Sequence, residues 1–248
     1  MVGAGLERRP IRAVLFDVDD TLVDHERAQR AGLVAGLAGE GVVADEAAHQ
    51  RWGQIVDAAF ARYLTGELTF EEQRRVRARA MTGRALDDAE ADAWIARSVA
   101  GFEGGLALFD DVLPTLELLR SEVPGVRFGA FSNVDGAFTR RKLGLVGLLP
   151  AFDVVLGMGE VAAPKPAAAP FLALCEALDV TPAEALHVGD RWATDAVAAS
   201  DAGLLGVWLD RPGTHPGRRG PTPGTERDDV VVVRSLGAVV DLVRRASL

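Results

Sequence analysis

Six short runs rich in β-branched and aromatic residues recur along the chain, and helical patterns fill most of the intervals between them. The runs cover residues 11–16, 126–131, 152–156, 185–188, 205–209 and 230–233. From the second run onward, the intervals hold helical periodicity at residues 134–145, 167–178, 193–202 and 236–245. Strands that alternate with helices of this length favour a parallel sheet covered on both faces. We therefore predict an α/β protein with a Rossmann-like core.

The long interval after the first run has a different sequence pattern. It contains no β-branched runs, and amphipathic segments follow one another. Helices are predicted at residues 25–38, 45–64, 70–81 and 88–99. Two of them carry N-terminal capping signals, with Thr69 and Asp87 each followed by Glu three residues later. This pattern predicts an all-α cap domain, residues 24–105, inserted into a core of residues 1–23 and 106–248. Open α/β sheets bind ligands at the carboxyl ends of their strands, so we expect the insert to act as a lid.

Composition excludes several classes of partner. The 248 residues carry a net charge of −9, which disfavours nucleic acid and anionic membrane surfaces. No run of 18 apolar residues occurs and the N-terminus lacks a hydrophobic signal core, so neither a membrane span nor secretion is expected. The single cysteine, Cys175, lies in an apolar run and is expected to be a core residue. A cytoplasmic protein acting on a small molecule fits best, and its oligomeric state stays open.

Two carboxylates stand where the first predicted strand ends. Because strand side chains alternate between faces, Asp17 and Asp19 point the same way. Two like charges at that spacing need a bound cation, a shared proton or both, although a structural Asp-rich turn is an equally simple interpretation. A calcium loop of the EF-hand type is excluded, since Leu22 occupies the position that requires glycine.

Polar groups also follow three later strands, where a site at one edge of a parallel sheet requires them. Ser132 and Asn133 precede a predicted helix and could seat an anion or simply cap that helix. Lys165 stands between two prolines and is one of only two lysines in the chain, which suits a point charge aimed at phosphate. The other, Lys142, is interpreted as a solvated helix cation.

The fourth constellation follows the run at 185–188. Gly189 permits close backbone approach, and Asp190 and Asp195 supply two acids five residues apart. Asp190 could cap the following helix or, beside Asp17, bind a metal ion. His187 alternates with apolar residues and is interpreted as a core histidine.

Together these constellations resemble the four motifs of the haloacid dehalogenase superfamily, specifically its phosphatases with a helical cap. Residues 17–21 resemble the nucleophile loop, 131–133 the second motif, Lys165-Pro166 the third and 189–195 the fourth. The resemblance spans residues 14 to about 242. Asp20 replaces a glycine often found in the first motif, and Thr194 stands where Asn is frequent, which loosens the case for Asp195 as a direct metal ligand.

The resemblance implies a magnesium-dependent phosphatase that acts on a small phosphorylated metabolite through an aspartyl phosphate. It implies a nucleophile, Asp17, and a general acid and base, Asp19, with Ser132, Asn133 and Lys165 binding phosphate. All-oxygen ligands suit Mg²⁺, and the implied set is Asp17, the carbonyl of Asp19, Asp190 and Asp195.

The sequence distinguishes a phosphatase from some of the other enzymes of the same family. A 2-haloacid dehalogenase does without the second acid, so Asp19 favours phosphate chemistry. Phosphonate hydrolysis uses a cap lysine, and residues 24–108 contain none. A phosphomutase and a non-enzymatic binding protein stay open. The substrate-recognising residues of the cap also stay open, with His25, Trp52, Tyr63 and Arg74 as candidates.

Overall fold

A computed structural model describes residues 10–212, 220–222 and 224–246. Within them, six parallel strands form one sheet in the order β3-β2-β1-β4-β5-β6. The predicted Rossmann-like α/β core is confirmed, and each strand overlaps a predicted run. The strands are β1 Ala13–Asp17, β2 Arg127–Asp135, β3 Val154–Met158, β4 Ala185–Gly189, β5 Leu205–Leu209 and β6 Val231–Val233.

The chain divides into two compact units, one that runs to Val23 and resumes at Leu108, and another formed by Asp24–Ala107. The second unit is entirely helical and was expected from the sequence at residues 24–105. Its helices are α1 His25–Leu37, α2 Glu46–Leu64, α3 Phe70–Thr82 and α4 Asp88–Gly105.

Each helix of this unit begins at a side chain that satisfies its first free backbone donors. The caps are Asp24, Asp45, Thr69 and Asp87, and the last two form reciprocal capping boxes with Glu72 and Glu90. The unit has its own apolar core, in which the rings of Trp52 and Trp94 lie 5.6 Å apart.

In the first unit, the helices are α5 Val112–Glu122, α6 Gly136–Leu145, α7 Ala169–Ala177, α8 Ala198–Asp201 and α9 Gly237–Ala246. The sequence interpretation missed α5, because Pro114 interrupts its first turn. Proline is tolerated there, since the first turn has no intrahelical partner for its missing N–H. The buried residues Val112, Leu116 and Leu119 carried the helical signal. The predicted helix 193–202 is also different, since a π-helical turn at Trp192–Val197 precedes α8.

Helices cover both faces of the sheet. On one face, Ala13 and Leu15 of β1 pack in a cluster with Phe171 and Leu174 of α7. On the other face, Phe16 meets the edge of Phe128, whose ring also lies under the Arg120 guanidinium of α5 at 5.2 Å. Strand side chains buried on both faces explain the nearly continuous apolar runs in the sequence.

The central strand β1 has parallel neighbours on both sides, β2 and β4. The chain leaves β1 for the edge at β3 and later returns to β4 on the opposite side. Such a reversal of strand order opens a crevice at the carboxyl ends of the two strands, which is the usual binding position in this class of fold.

Two sequence expectations concern the rest of the chain. The segment 211–229, expected to be a long loop, contains no helix or strand in its described part, and residues 213–219 and 223 lie outside the described residues. Among the helices of the described residues, none combines the length and apolarity needed to cross a bilayer.

Small residues let α1 and α4 pack closely. A Cβ atom added at Gly101 would lie 2.4 Å from the Cβ of Ala35 and 2.7 Å from the backbone oxygen of Ala31. By contrast, a Cβ atom added at Gly53, in the middle of α2, would meet nothing within 4 Å.

We expect Gly101→Ala to lower the free energy of unfolding by about 1–3 kcal/mol, because the backbone of α1 cannot yield to the new methyl group. Gly53→Ala is the matched control and should raise it by about 0.5–1 kcal/mol through helix propensity alone. Urea denaturation of both variants measures the difference. Equal stabilisation by the two substitutions would show that the α1–α4 contact does not limit the size of residue 101.

Candidate active site

The loop after β1 turns sharply so that its polar groups gather at the sheet edge. Asp20 has a φ of 62°, in the left-handed region that Asp tolerates better than most residues. Its N–H donates to the carbonyl of Val23, while the N–H groups of Leu22 and Val23 both donate to the carbonyl of Val18. The backbone conformation explains why glycine is frequent at this position in similar loops.

Asp17, the last residue of β1, is buried and bonded through both carboxylate oxygens. Lys165 Nζ lies 2.7 Å from Oδ1, and the Thr21 hydroxyl donates to Oδ2 at 2.9 Å. Thr21 Oγ1 also accepts the backbone N–H of Asp190 at 3.1 Å. A single hydroxyl therefore ties the loop after β1 to the loop after β4, although the sequence interpretation gave Thr21 no part.

Lys165 lies between two acids. Its Nζ is 2.7 Å from Asp17 Oδ1 and 2.6 Å from Asp195 Oδ1, and only 4% of its side chain is exposed. A buried ammonium group needs such partners, since desolvation would otherwise exclude it from the interior.

Asn133 holds the backbone of the lysine loop. Its Nδ2 donates to the carbonyl of Lys165 and its Oδ1 accepts the N–H of Lys165, both at 2.8 Å. Both ends of the amide are thus engaged with residue 165. In the structure this side chain holds the backbone of the lysine, and contact between Asn133 and a substrate stays a prediction.

Asp195 lies inside the π-helical turn and is almost completely buried. Besides Lys165, it accepts the N–H of Arg191 at 3.0 Å, and His187 Nε2 lies 3.4 Å from Oδ1. A Cβ atom added at Gly189 would lie 2.4 Å from its Cγ, so only glycine leaves room for this carboxylate. His187 is fully buried against the edge of Phe171, in keeping with its interpretation as a core histidine.

Three carboxylates converge at this edge of the sheet. Oxygen atoms of Asp17, Asp190 and Asp195 all lie within 4.8 Å of one another, and all three residues are buried. Three carboxylates beside one ammonium group leave an excess of two negative charges when all are ionised. The donor set contains oxygen alone, so it could hold a hard divalent cation. The Trp208 indole N–H donates to the carbonyl of Asp190 at 3.0 Å and fixes that loop.

Asp19 lies outside this triad of carboxylates and has its own partners. The Ser132 hydroxyl donates to its Oδ2 at 2.9 Å, and Lys142 Nζ lies 2.5 Å from its Oδ1. Its carboxylate is thus engaged with Ser132 and Lys142, while its carbonyl as a metal ligand stays a prediction.

The interpretation of Lys142 as a solvated cation is wrong, because its side chain is 1% exposed. Lys142 follows two arginines in the sequence, and such a run of cations is typical of a charged surface. Its long aliphatic stem nevertheless lies in the interior while its ammonium group reaches a carboxylate. The scarcity of lysine was the available signal: the only two lysines of the chain both pair with acids of the first motif.

The acids around Lys165 differ in proton affinity. Burial raises the pKa of Asp17 from 3.8 to about 6; Lys165 opposes the rise, and the carboxylates of Asp195 and Asp19 add to it. Burial also favours a higher pKa for Asp195. Lys165 and His187 outweigh this effect and hold the pKa of Asp195 well below its usual range. Burial lowers the pKa of Lys165, but Asp17 and Asp195 reverse this effect and raise it above its usual value.

The four residues named as candidates for substrate recognition make contacts inside the helical unit. Trp52 belongs to the core of that unit, and the Arg74 guanidinium lies 4.1 Å above the ring of Phe70. Tyr63 packs between Phe60 and Phe70, and His25 meets the edge of Phe102. Contact between any of them and a substrate stays a prediction.

Comparisons with known proteins agree on one family. Residues 11–203 match the model for a haloacid dehalogenase-like hydrolase. A phosphoglycolate phosphatase from Nitrosospira multiformis is 30% identical over 240 residues, which cover 96% of this chain and 98% of the relative. The HAD-hydrolase YfnB from Bacillus subtilis, solved bound to magnesium, matches with a TM-score of 0.76 at 19% identity, covering 95% of this chain and 100% of that one.

A dehalogenase shares the same fold. The 2-haloacid dehalogenase from Pseudomonas syringae pv. Tomato matches with a TM-score of 0.68 at 24% identity, covering 95% of this chain and 99% of that chain. At this level of identity the likeness describes the architecture and leaves the reaction to be argued from the residues of the site.

The raised pKa of Asp17 makes a prediction about the metal-free protein. Because the pKa rises from 3.8 to about 6 on folding, the folded state holds the proton more tightly. Stability from this group is present below the unfolded pKa and is lost as pH rises through the folded pKa. In EDTA near pH 8, we expect Asp17→Asn to be more stable than the wild type by about 2 kcal/mol, because the amide does not ionise.

Near pH 5 this advantage should shrink by about 1 kcal/mol as the wild-type carboxyl takes up its proton. Urea denaturation of both proteins at the two pH values measures it. An advantage that grows on acidification would show that burial does not govern the ionisation of Asp17.

Proposed function

The chain belongs to the haloacid dehalogenase-like hydrolases, and from that membership we propose that it is a magnesium-dependent phosphatase of small phosphate monoesters, acting through an aspartyl phosphate. The observation that carries the proposal is the buried cluster of Asp17, Asp190 and Asp195, in which Asp17 and Asp195 contact the ammonium group of Lys165. A trianionic group of carboxylates with one fixed cation suits a site that receives both a divalent metal ion and a phosphoryl group.

In the first half-reaction, Asp17 attacks phosphorus. An oxygen–phosphorus bond forms to its carboxylate, and the bond to the ester oxygen breaks with its electron pair going to that oxygen. Asp19 supplies the proton that the departing alkoxide takes up. Lys165 and the backbone N–H groups at the end of β2 offset the charge on the nonbridging oxygens, and the Ser132 hydroxyl joins them by turning from Asp19 to the phosphate.

In the second half-reaction, water attacks the aspartyl phosphate. Its oxygen bonds to phosphorus, the bond between phosphorus and the Asp17 oxygen breaks, and the proton of the water passes to Asp19. Asp17 is regenerated as a carboxylate and inorganic phosphate leaves. One side chain therefore donates a proton and later accepts one, and its position two residues after the nucleophile supports that use.

The site fits a magnesium ion on the chemistry of its donors. Asp17 and Asp190, with the Asp19 carbonyl and waters, would hold it, and it would neutralise the repulsion between the nucleophile and the incoming phosphate. We propose Asp195 as the partner that holds Lys165, because the lysine Nζ lies 2.6 Å from its Oδ1 and the Arg191 N–H donates to its Oδ2. The helical unit inserted between Val23 and Leu108 is proposed as the cap that selects the substrate.

We expect Asp17→Asn to lower phosphatase turnover by at least about 1,000-fold, because an amide oxygen is a poor nucleophile toward phosphorus. The assay measures phosphate release with Mg²⁺ from sugar, nucleotide and amino-acid phosphates and from phosphoglycolate. Asp241→Asn, a change at an exposed acid of α9, is the control and should keep wild-type turnover.

Retention of Mg²⁺-dependent phosphate release by Asp17→Asn would contradict the nucleophile assignment. A wild-type protein that released halide from 2-haloacids and no phosphate from any ester would instead favour the dehalogenase alternative.

Metal binding has a readout that does not depend on turnover. Mg²⁺ at about a hundredfold excess over its dissociation constant should raise the free energy of unfolding of the wild type by about 2–3 kcal/mol, which thermal denaturation detects. Asp190→Asn should abolish most of this shift because it removes a ligand, while Asp241→Asn should leave it intact. An unchanged melting temperature of the wild type with Mg²⁺ would contradict the metal assignment.

A further inference from the structure

Lys142 is a buried cation that the reaction described above does not use. Its ammonium group lies on α6, 2.5 Å from Asp19 Oδ1. Lys142 and Lys165 are the only lysines of the chain, and an interior lysine at position 142 provides a compact charge where arginine would place a broad guanidinium.

The Asp19 carboxylate is held at both oxygens. Lys142 donates to Oδ1, and Ser132 Oγ donates to Oδ2 at 2.9 Å. The direction of the second bond is supported by the backbone N–H of Val134, which donates to Ser132 Oγ at 3.2 Å and so leaves the hydroxyl proton for Asp19. Both carboxylate oxygens therefore act as acceptors, and the plane of the carboxylate is fixed by two donors.

The helix that carries Lys142 is itself anchored beside the site. α6 begins where β2 ends, and Asp135 caps it by accepting the N–H of Phe138 at 2.9 Å. The ammonium group lies 5.7 Å from the centre of the Phe138 ring, one turn earlier on the same helix. The lysine thus reaches Asp19 from a rigid element that starts at the second motif.

We propose, building on the phosphatase function above, that Lys142 is a positioning residue that holds Asp19 oriented to take a proton from water in the second half-reaction. The arrangement suits that step because both Asp19 oxygens accept hydrogen bonds in the structure, and Lys142 keeps the carboxylate oriented when the Ser132 hydroxyl turns to the phosphate. Without Lys142 the carboxylate loses the donor to its Oδ1 and can rotate away from the attacking water. Hydrolysis of the aspartyl phosphate then slows more than its formation.

The test uses 4-nitrophenyl phosphate with Mg²⁺, because nitrophenolate leaves readily without a proton and so reports formation of the aspartyl phosphate. In Lys142→Met, rapid mixing should show a burst of nitrophenolate approaching the enzyme concentration. A steady-state rate about 10–100-fold below that of the wild type should follow. Acid-quenched protein should carry phosphate on Asp17. Arg141→Met removes the neighbouring exposed cation and should behave as the wild type.

Two further variants separate positioning from structure. Lys142→Arg keeps the charge in a different shape, so it should fold and accumulate phosphoenzyme to a smaller extent than Lys142→Met. In the Asp19→Asn background, Lys142→Met should cause no further loss, because its effect passes through the Asp19 carboxylate.

Equal slowing of the burst and of the steady state, with no phosphoenzyme, would overturn the inference and leave Lys142 as a structural ion pair. If Lys142→Met does not fold, the absence of phosphoenzyme in Lys142→Arg overturns it equally. A wild type that hydrolyses no phosphate ester and forms no phosphoenzyme refutes the proposed function itself, which distinguishes the two failures.

Discussion

Electrostatic repulsion among buried carboxylates is the constraint on which the site depends. Asp17 ends β1, Asp190 directly follows the adjacent parallel strand β4, and Asp195 lies in the π-helical turn after it, so their carboxylates meet at one edge of the sheet. Lys165 neutralises part of this charge, and its loop is held by Asn133 through two hydrogen bonds of 2.8 Å. The remaining negative charge favours binding of a divalent cation, which is the cofactor that we propose.

The same principle applies to the second acid of the motif. Asp17 and Asp19 are two residues apart and face the same edge of the sheet, yet each is paired with a different lysine. Each acid therefore has a cation of its own, although the Asp19 carboxylate still adds to the rise in the pKa of Asp17. The pKa of Asp17 is raised to about 6 because burial and the neighbouring carboxylates outweigh the effect of Lys165.

The sequence predicted the sheet well because parallel strands buried on both faces are nearly continuous apolar runs, which differ clearly from polar loops. Every residue of β1 and β4 is buried, which illustrates this. It also predicted which polar residues follow the strands, since the strand ends of a parallel sheet share one edge. It could not predict Lys142, because the burial of a long cationic side chain depends on a partner 123 residues away. The contact of Asn133 with the Lys165 backbone was hidden for the same reason, and α5 was missed because a proline obscured its first turn.

The hydrogen bond from the Asp190 backbone to Thr21 spans 169 residues of sequence, and it requires β4 to lie beside β1. Until that late strand has been synthesised and paired, the loop after β1 has Asp17 but neither the carboxylates of Asp190 and Asp195 nor the hydrogen bond from Asp190 to Thr21. A ribosome-bound or truncated chain that ends before β4 therefore lacks the acidic cluster, even though the helical insert near its beginning has already been made. In this architecture the cluster forms only once the central strands have paired.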